Sequence, residues 1–142
     1  MGKINWERLL IGGVVAGVVM NVLWYAGWVL LVRPPLSDAL QAVGRPLQES
    51  VGGNVVMAVM ILLMGILAVW LYAAIRPRFG PGPGTAAMAG VAVGILLGIL
   101  VAWGMSLQLI PATVWATDAI ATLVIVVIGT LIGAWLYNER AA

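Results

Sequence analysis

The sequence predicts an all-α integral membrane protein, a four-helix bundle of two pseudo-symmetric helical hairpins, and three observations carry that expectation. Of 142 residues, 63% are hydrophobic and only 8% charged, whereas a water-soluble domain carries about 25% charged residues. Four apolar stretches are each long enough to supply the ~20 residues that cross about 30 Å of hydrocarbon. Between the second and third, the run WLYAAIRPRFGPGPGT from Trp70 to Thr85 places two arginines and a glycine/proline string where the chain must turn in water.

The first span is 9–32, with 24 residues and no charge. Lys3 and Arg8 precede it as in a signal peptide, but an h-region has only about 7–15 residues, so the stretch reads as an uncleaved membrane helix. Pro34 and Pro35 are expected to end it. Leu36, Leu40, Val43 and Leu47 then recur at helical spacing among Asp38, Gln41 and Glu49, which predicts a short amphipathic helix on the membrane surface over 35–48.

The second span is 51–75, closed by Arg76, Pro77 and Arg78 and by Gly80 to Gly84, a run expected to stay out of helix. The third is 86–110, stopping at Pro111. The fourth is 113–137, with Asp118 near its start. So short a connection at Pro111 makes spans three and four an antiparallel hairpin.

Positive residues give an orientation. Lys3, Arg8, Arg76, Arg78 and Arg140 fall on one side of a four-span chain, and Arg33 and Arg45 on the other; the richer side is expected in the cytoplasm, with both termini. An internal repeat is also visible. Gly13, Gly17 and Gly27 fall on Gly90, Gly94 and Gly104 at a shift of 77, and Trp70-Leu71-Tyr72 on Trp135-Leu136-Tyr137 at a shift of 65. Two spans per copy point both copies the same way, about an axis along the membrane normal.

Several residue types bear on function. Gly13, Gly17, Gly90, Gly94, Gly98, Gly129 and Gly133 form four-residue notches, which let helix backbones meet where lipid removes the hydrophobic driving force. They serve either packing within the bundle or a seam between two copies. Asn21, near the middle of span one, needs a partner in hydrocarbon and is expected to bind another helix. Asn54 and Asp118 lie near the outer ends of their spans. Ser106 and Gln108 approach the same level, with Trp28, Trp103 and Trp115 around it and Thr122 one turn from Asp118. Asp118, Asn54, Gln108 and Asn21 are thus the candidate ligand-binding set, in a vestibule opening outward between the hairpins. The alternative for Asp118 is a helix-start acid favoured by the dipole, or an ion pair with Arg33 or Arg45. Met57, Met60 and Met64 share a helical face and read as packing, and the seven tryptophans as an interfacial belt.

The exclusions are firm in chemical terms. Histidine and cysteine are absent, and Asp118 is the one acid inside a span, so no catalytic residue pair, metal site or cofactor site is expected. A net charge of +2 without a Lys/Arg run offers nucleic acid no surface.

The run AVWLYAAIRPRFGPGPGTA, with Trp6 and Asn21 upstream and AWLY near the C-terminus, resembles a group of small uncharacterised bacterial membrane proteins. The likeness spans most of the chain and is strongest in the central loop. It implies a four-span inner-membrane protein and no particular activity. Small multidrug transporters, with a Glu embedded in their first helix, and fluoride channels, with a Phe-containing polar motif, fit less well: the chain has Asn21 in the first helix and its one Phe, Phe79, in a loop. The expected role is structural or accessory, through helix association with the lipid bilayer, a second copy or a larger membrane complex. The alternative is a small transporter or channel using the outer vestibule.

Overall fold

The computed structural model describes residues 4–105 and 111–137. The described chain is all-helical apart from its connections, in the order α1 (Trp6–Gly27), a π-helical turn (Trp28–Val32), α2 (Arg33–Ala42), α3 (Val51–Phe79), α4 (Pro83–Met105) and α5 (Ala112–Trp135). Four helices are long and apolar enough to cross a membrane. Within the most apolar 18 residues of each, only 28–33% are buried by the protein itself. The outward-facing remainder is rich in side chains such as Val22, Leu30, Ile99 and Ile120, each more than 60% exposed. Such a surface is stable in hydrocarbon and not in water.

Each helix begins where its local chemistry allows. Asn5 caps α1, its side-chain oxygen accepting from Arg8 N–H at 3.3 Å, and Ser50 caps α3 through Gly53 N–H at 3.0 Å. The prolines behave differently from expectation. Pro34 and Pro35 do not end the first helix: the chain stays helical from Trp6 to Ala42. At Trp28–Val32 the hydrogen bonds widen to i→i−5, Arg33 N–H donating to Trp28 O, and the prolines occupy the first turn beyond. There their missing N–H groups cost little.

Pro77 likewise lies inside α3. It falls in the last turn, so one N–H is lost and no further turns build on the distortion. The helix closes at Gly80, whose φ of +83° suits glycine. Pro83 and Gly84, expected in the loop, open α4 instead, proline being pre-organised for a first helical position. The surface helix is shorter than 35–48: it stops at Ala42, with Gly44 at φ +72°. Leu36 and Leu40 of the helix and Leu47 of the connection pack into one cluster with Val32, Val114 and Trp28, while Val43 is exposed.

Glycine determines how the helices meet. A Cβ on Gly13 would lie 2.7 Å from Ile66 Cα, and one on Gly17 2.7 Å from Leu62 Cα. Gly65 answers from α3 against the Gly17 backbone, closing α1 and α3 into an antiparallel pair. Gly90 meets Val127 and Gly94 meets Leu123 in the α4–α5 pair. Gly12 and Gly133 meet backbone to backbone, with Gly129 against Met20, and join α1 to α5. Gly98 differs: a Cβ there would touch nothing within 4 Å, so it packs no helix within the described chain.

The hairpins are alike in construction but not in register. Shifts of 77 and 65 would put Gly90 opposite Leu131; it sits opposite Val127, one turn away. Packing is also uneven along the membrane normal. Leu9, Met20, Val69, Val126 and Thr130 are fully buried in the half nearer the termini. On α3 every residue from Val51 to Met60 is exposed, and the core starts at Ile61. On α4 the last buried residues among those described are Val93 and Gly94. Among the described residues the bundle centre is tight toward the termini and opens at the other end.

Candidate functional site

The open end contains a cleft of about 400 Å³ between α1, α3 and the connection joining α2 to α3, lined by Asn21, Trp24, Trp28, Glu49, Ser50 and Asn54 among others. Its floor is Asn21. Both amide hydrogens are used, Nδ2 donating to Gly17 O at 2.9 Å and to Ala58 O at 3.1 Å. The second bond ties α1 to α3, and among the described residues the side-chain oxygen accepts no hydrogen bond. Asn21 therefore joins two helices and still presents an acceptor at the base of the cleft.

One wall is aromatic. Trp24 and Trp28, four residues apart across the start of the π turn, stack with ring centroids 5.8 Å apart and planes 9° from parallel. The roof is the connection itself, held over the cleft by Leu47 packed on the Val32–Leu36–Val114 cluster and by the Arg33–Glu49 ion pair at 2.9 Å. Those two charged side chains are 52% and 37% exposed, so their attraction is weak and salt-sensitive. Asn54 is exposed near the start of α3.

The predicted ligand-binding set is divided by this geometry. Asn21 and Asn54 line one cleft; Asp118 is not in its lining. Asp118 is partly buried on α5, one turn from the buried Val114, and forms no hydrogen bond or ion pair among the described residues. The expected clasp with Arg33 is replaced by the pair Arg33 makes with Glu49, because the ordered connection carries Glu49 back to the end of α1. Gln108 and Ser106 lie outside the described residues. Trp103 points outward, 73% exposed, whereas the Trp115 indole N–H is buried without an acceptor among the described residues. Met57 and Met60 are exposed and Met64 packs on the core.

Trp24, Glu49 and Ser50 join the site unpredicted. The signal for Trp24 lay in its spacing, four residues from Trp28 and three from Asn21. The other two depend on a long-range fold-back that no local pattern announces. Stacked indoles, amide oxygens and one carboxylate can hold a small polar or cationic molecule by stacking, cation–π attraction and hydrogen bonds. No group with metal-binding composition occurs among the described residues. Comparison of the chain with family models, with curated proteins and with solved structures finds no match.

Proposed function

We propose that the chain is a multi-pass bacterial inner-membrane protein with both termini cytoplasmic, and that it acts as a structural or accessory subunit through helix association rather than by transport or catalysis. The observation that carries this is the close-packed centre of the bundle's lower half. Leu9, Met20, Val69 and Val126 pack its centre, and Thr130, fully buried among them, is satisfied by Val126 O of its own helix at 2.6 Å. Ions need a polar or hydrated route, and among the described residues the fully buried side chains below Asn21 are apolar apart from Thr130. The upper half of α3, unpartnered from Val51 to Met60 on all but its α1 side, leaves apolar surface that a second copy or a larger membrane complex would cover.

The positive-residue asymmetry supports the orientation, and the likeness of the central loop to small bacterial membrane proteins supports the location. We also read the two hairpins as duplicated copies. Their like glycine pairing and the contact of Tyr72 with its repeat-equivalent Tyr137, rings T-shaped at 6.0 Å, favour it. A second reading, a small transporter with an outer vestibule, is favoured by the opening of the bundle around the Asn21 cleft.

Reconstitution in liposomes separates the two. The accessory reading expects no proton or cation flux above empty vesicles, and an assembly larger than one chain in native membranes. Flux that is lost in Asp118→Asn or Asn21→Leu would establish the transporter instead.

A further inference from the structure

At the end bearing both termini, a second cavity of about 440 Å³ opens between α3, α4 and α5, lined by Tyr72, Arg76, Gly82, Leu131, Trp135 and Tyr137 among others. We propose that it is a binding site for the phosphate headgroup of an anionic phospholipid, with Arg76 and the two tyrosine hydroxyls as donors and the Leu131–Trp135 wall against an acyl chain.

The polar side of this cavity is built from donors. Arg76 is the one charged residue of the described lining, and its guanidinium carbon lies 5.6 Å from the centre of the Tyr137 ring, a cation–π contact that fixes the side chain at the cavity edge. Tyr72 and Tyr137 are 4% and 3% exposed. Each hydroxyl oxygen already accepts a backbone N–H: from Gly82 at 3.5 Å for Tyr72 and from Asn5 at 3.4 Å for Tyr137. Neither donates its own hydrogen to an acceptor among the described residues. Two buried O–H donors without acceptors are costly, and an anion in the cavity would satisfy both.

The N-terminus of α4, a helix of 23 residues starting at Pro83, adds the positive end of its dipole at the same rim. The remaining wall is apolar. Ala86 and Ala134 are buried while Trp135 is 84% exposed, so the cavity runs from an interfacial cation toward the lipid. Free phosphate would use the donors and leave that wall without a role, which favours a lipid. Basic pockets between helices at a membrane interface suit such headgroups on general electrostatic grounds.

The test is native mass spectrometry of the full chain in detergent, with phosphatidylglycerol, phosphatidylcholine or glycerol phosphate added separately and in competition. The proposal expects phosphatidylglycerol to be retained about tenfold more tightly than phosphatidylcholine, the scale of one charge-assisted hydrogen bond. Arg76→Gln should abolish that preference. Tyr72→Phe, which keeps the ring and removes one donor, should reduce it several-fold and stands as the test should Arg76→Gln fail to fold. Arg78→Gln, at an exposed position, should retain it. Equal retention of the two lipids, an undiminished preference in Tyr72→Phe, or equal loss in Arg78→Gln would overturn the site. Displacement of phosphatidylglycerol by an equal concentration of glycerol phosphate would overturn the assignment to a lipid.

Discussion

Single residues in hydrocarbon are decided by whether their polar atoms find partners and their backbones find room. Asn21 illustrates the first: leucine there removes the bond to Ala58 O, and membrane hydrogen bonds are worth about 0.6–2 kcal/mol. Asn21→Leu should lower thermal stability by that order, read as loss of monodispersity on heating in detergent. Gly13 and Gly98 illustrate the second. Gly13→Ala forces a methyl to 2.7 Å from Ile66 Cα and should cost about 1–3 kcal/mol by overpacking. Gly98→Ala meets nothing and should be neutral or gain up to about 1 kcal/mol of helix propensity. Parallel heating of the two variants checks the contrast. Sequence spacing identified both glycines as notch residues, but spacing cannot tell which notch has a neighbouring helix. Gly12 and Gly65 escaped for the opposite reason: each lies off the four-residue series, yet each meets backbone.

At the level of elements, the lengths and number of the spans were legible because hydrocarbon thickness sets a minimum apolar length. Helix ends were less so. Proline was read as a stop at positions 34, 35, 77 and 83, yet all four residues are helical. Where a helix has just begun or is about to finish, proline removes a hydrogen bond that is absent or dispensable. The π turn at Trp28–Val32 leaves no such signature in composition. It keeps α2 continuous with α1 and so brings Arg33 to Glu49. Because both side chains are substantially exposed, Arg33→Gln, Glu49→Gln and the double variant should each change stability by less than about 1 kcal/mol. Asp118→Asn combined with Arg33→Gln should be additive in the same unfolding measurement, since the two residues share no contact. A coupling above about 0.5 kcal/mol between Asp118 and Arg33 would restore the ion pair that the structure does not contain.

For the whole molecule, the uneven packing along the membrane normal matters most. Toward the termini, glycine contacts and fully buried side chains close the bundle centre; toward the opposite end, the described residues of α3 and α4 bury little and the Asn21 cleft opens. The sequence indicated polar residues clustered at the outer level, but not that Asp118 would be separated from Asn54, because side-chain direction around two helices depends on their rotation in the bundle. The central claim is a four-span bundle, closed at its core, with the connection after α2 and the loop after α3 on opposite sides. Impermeant thiol labelling tests it in right-side-out and inverted vesicles. The natural chain has no cysteine, so Val43→Cys, Phe79→Cys and Thr130→Cys each report one position. The expected result is labelling of position 43 from outside only, of position 79 from inside only, and of the buried position 130 from neither. Labelling of 43 and 79 from the same side, or of 130 from either side in folded protein, would contradict it.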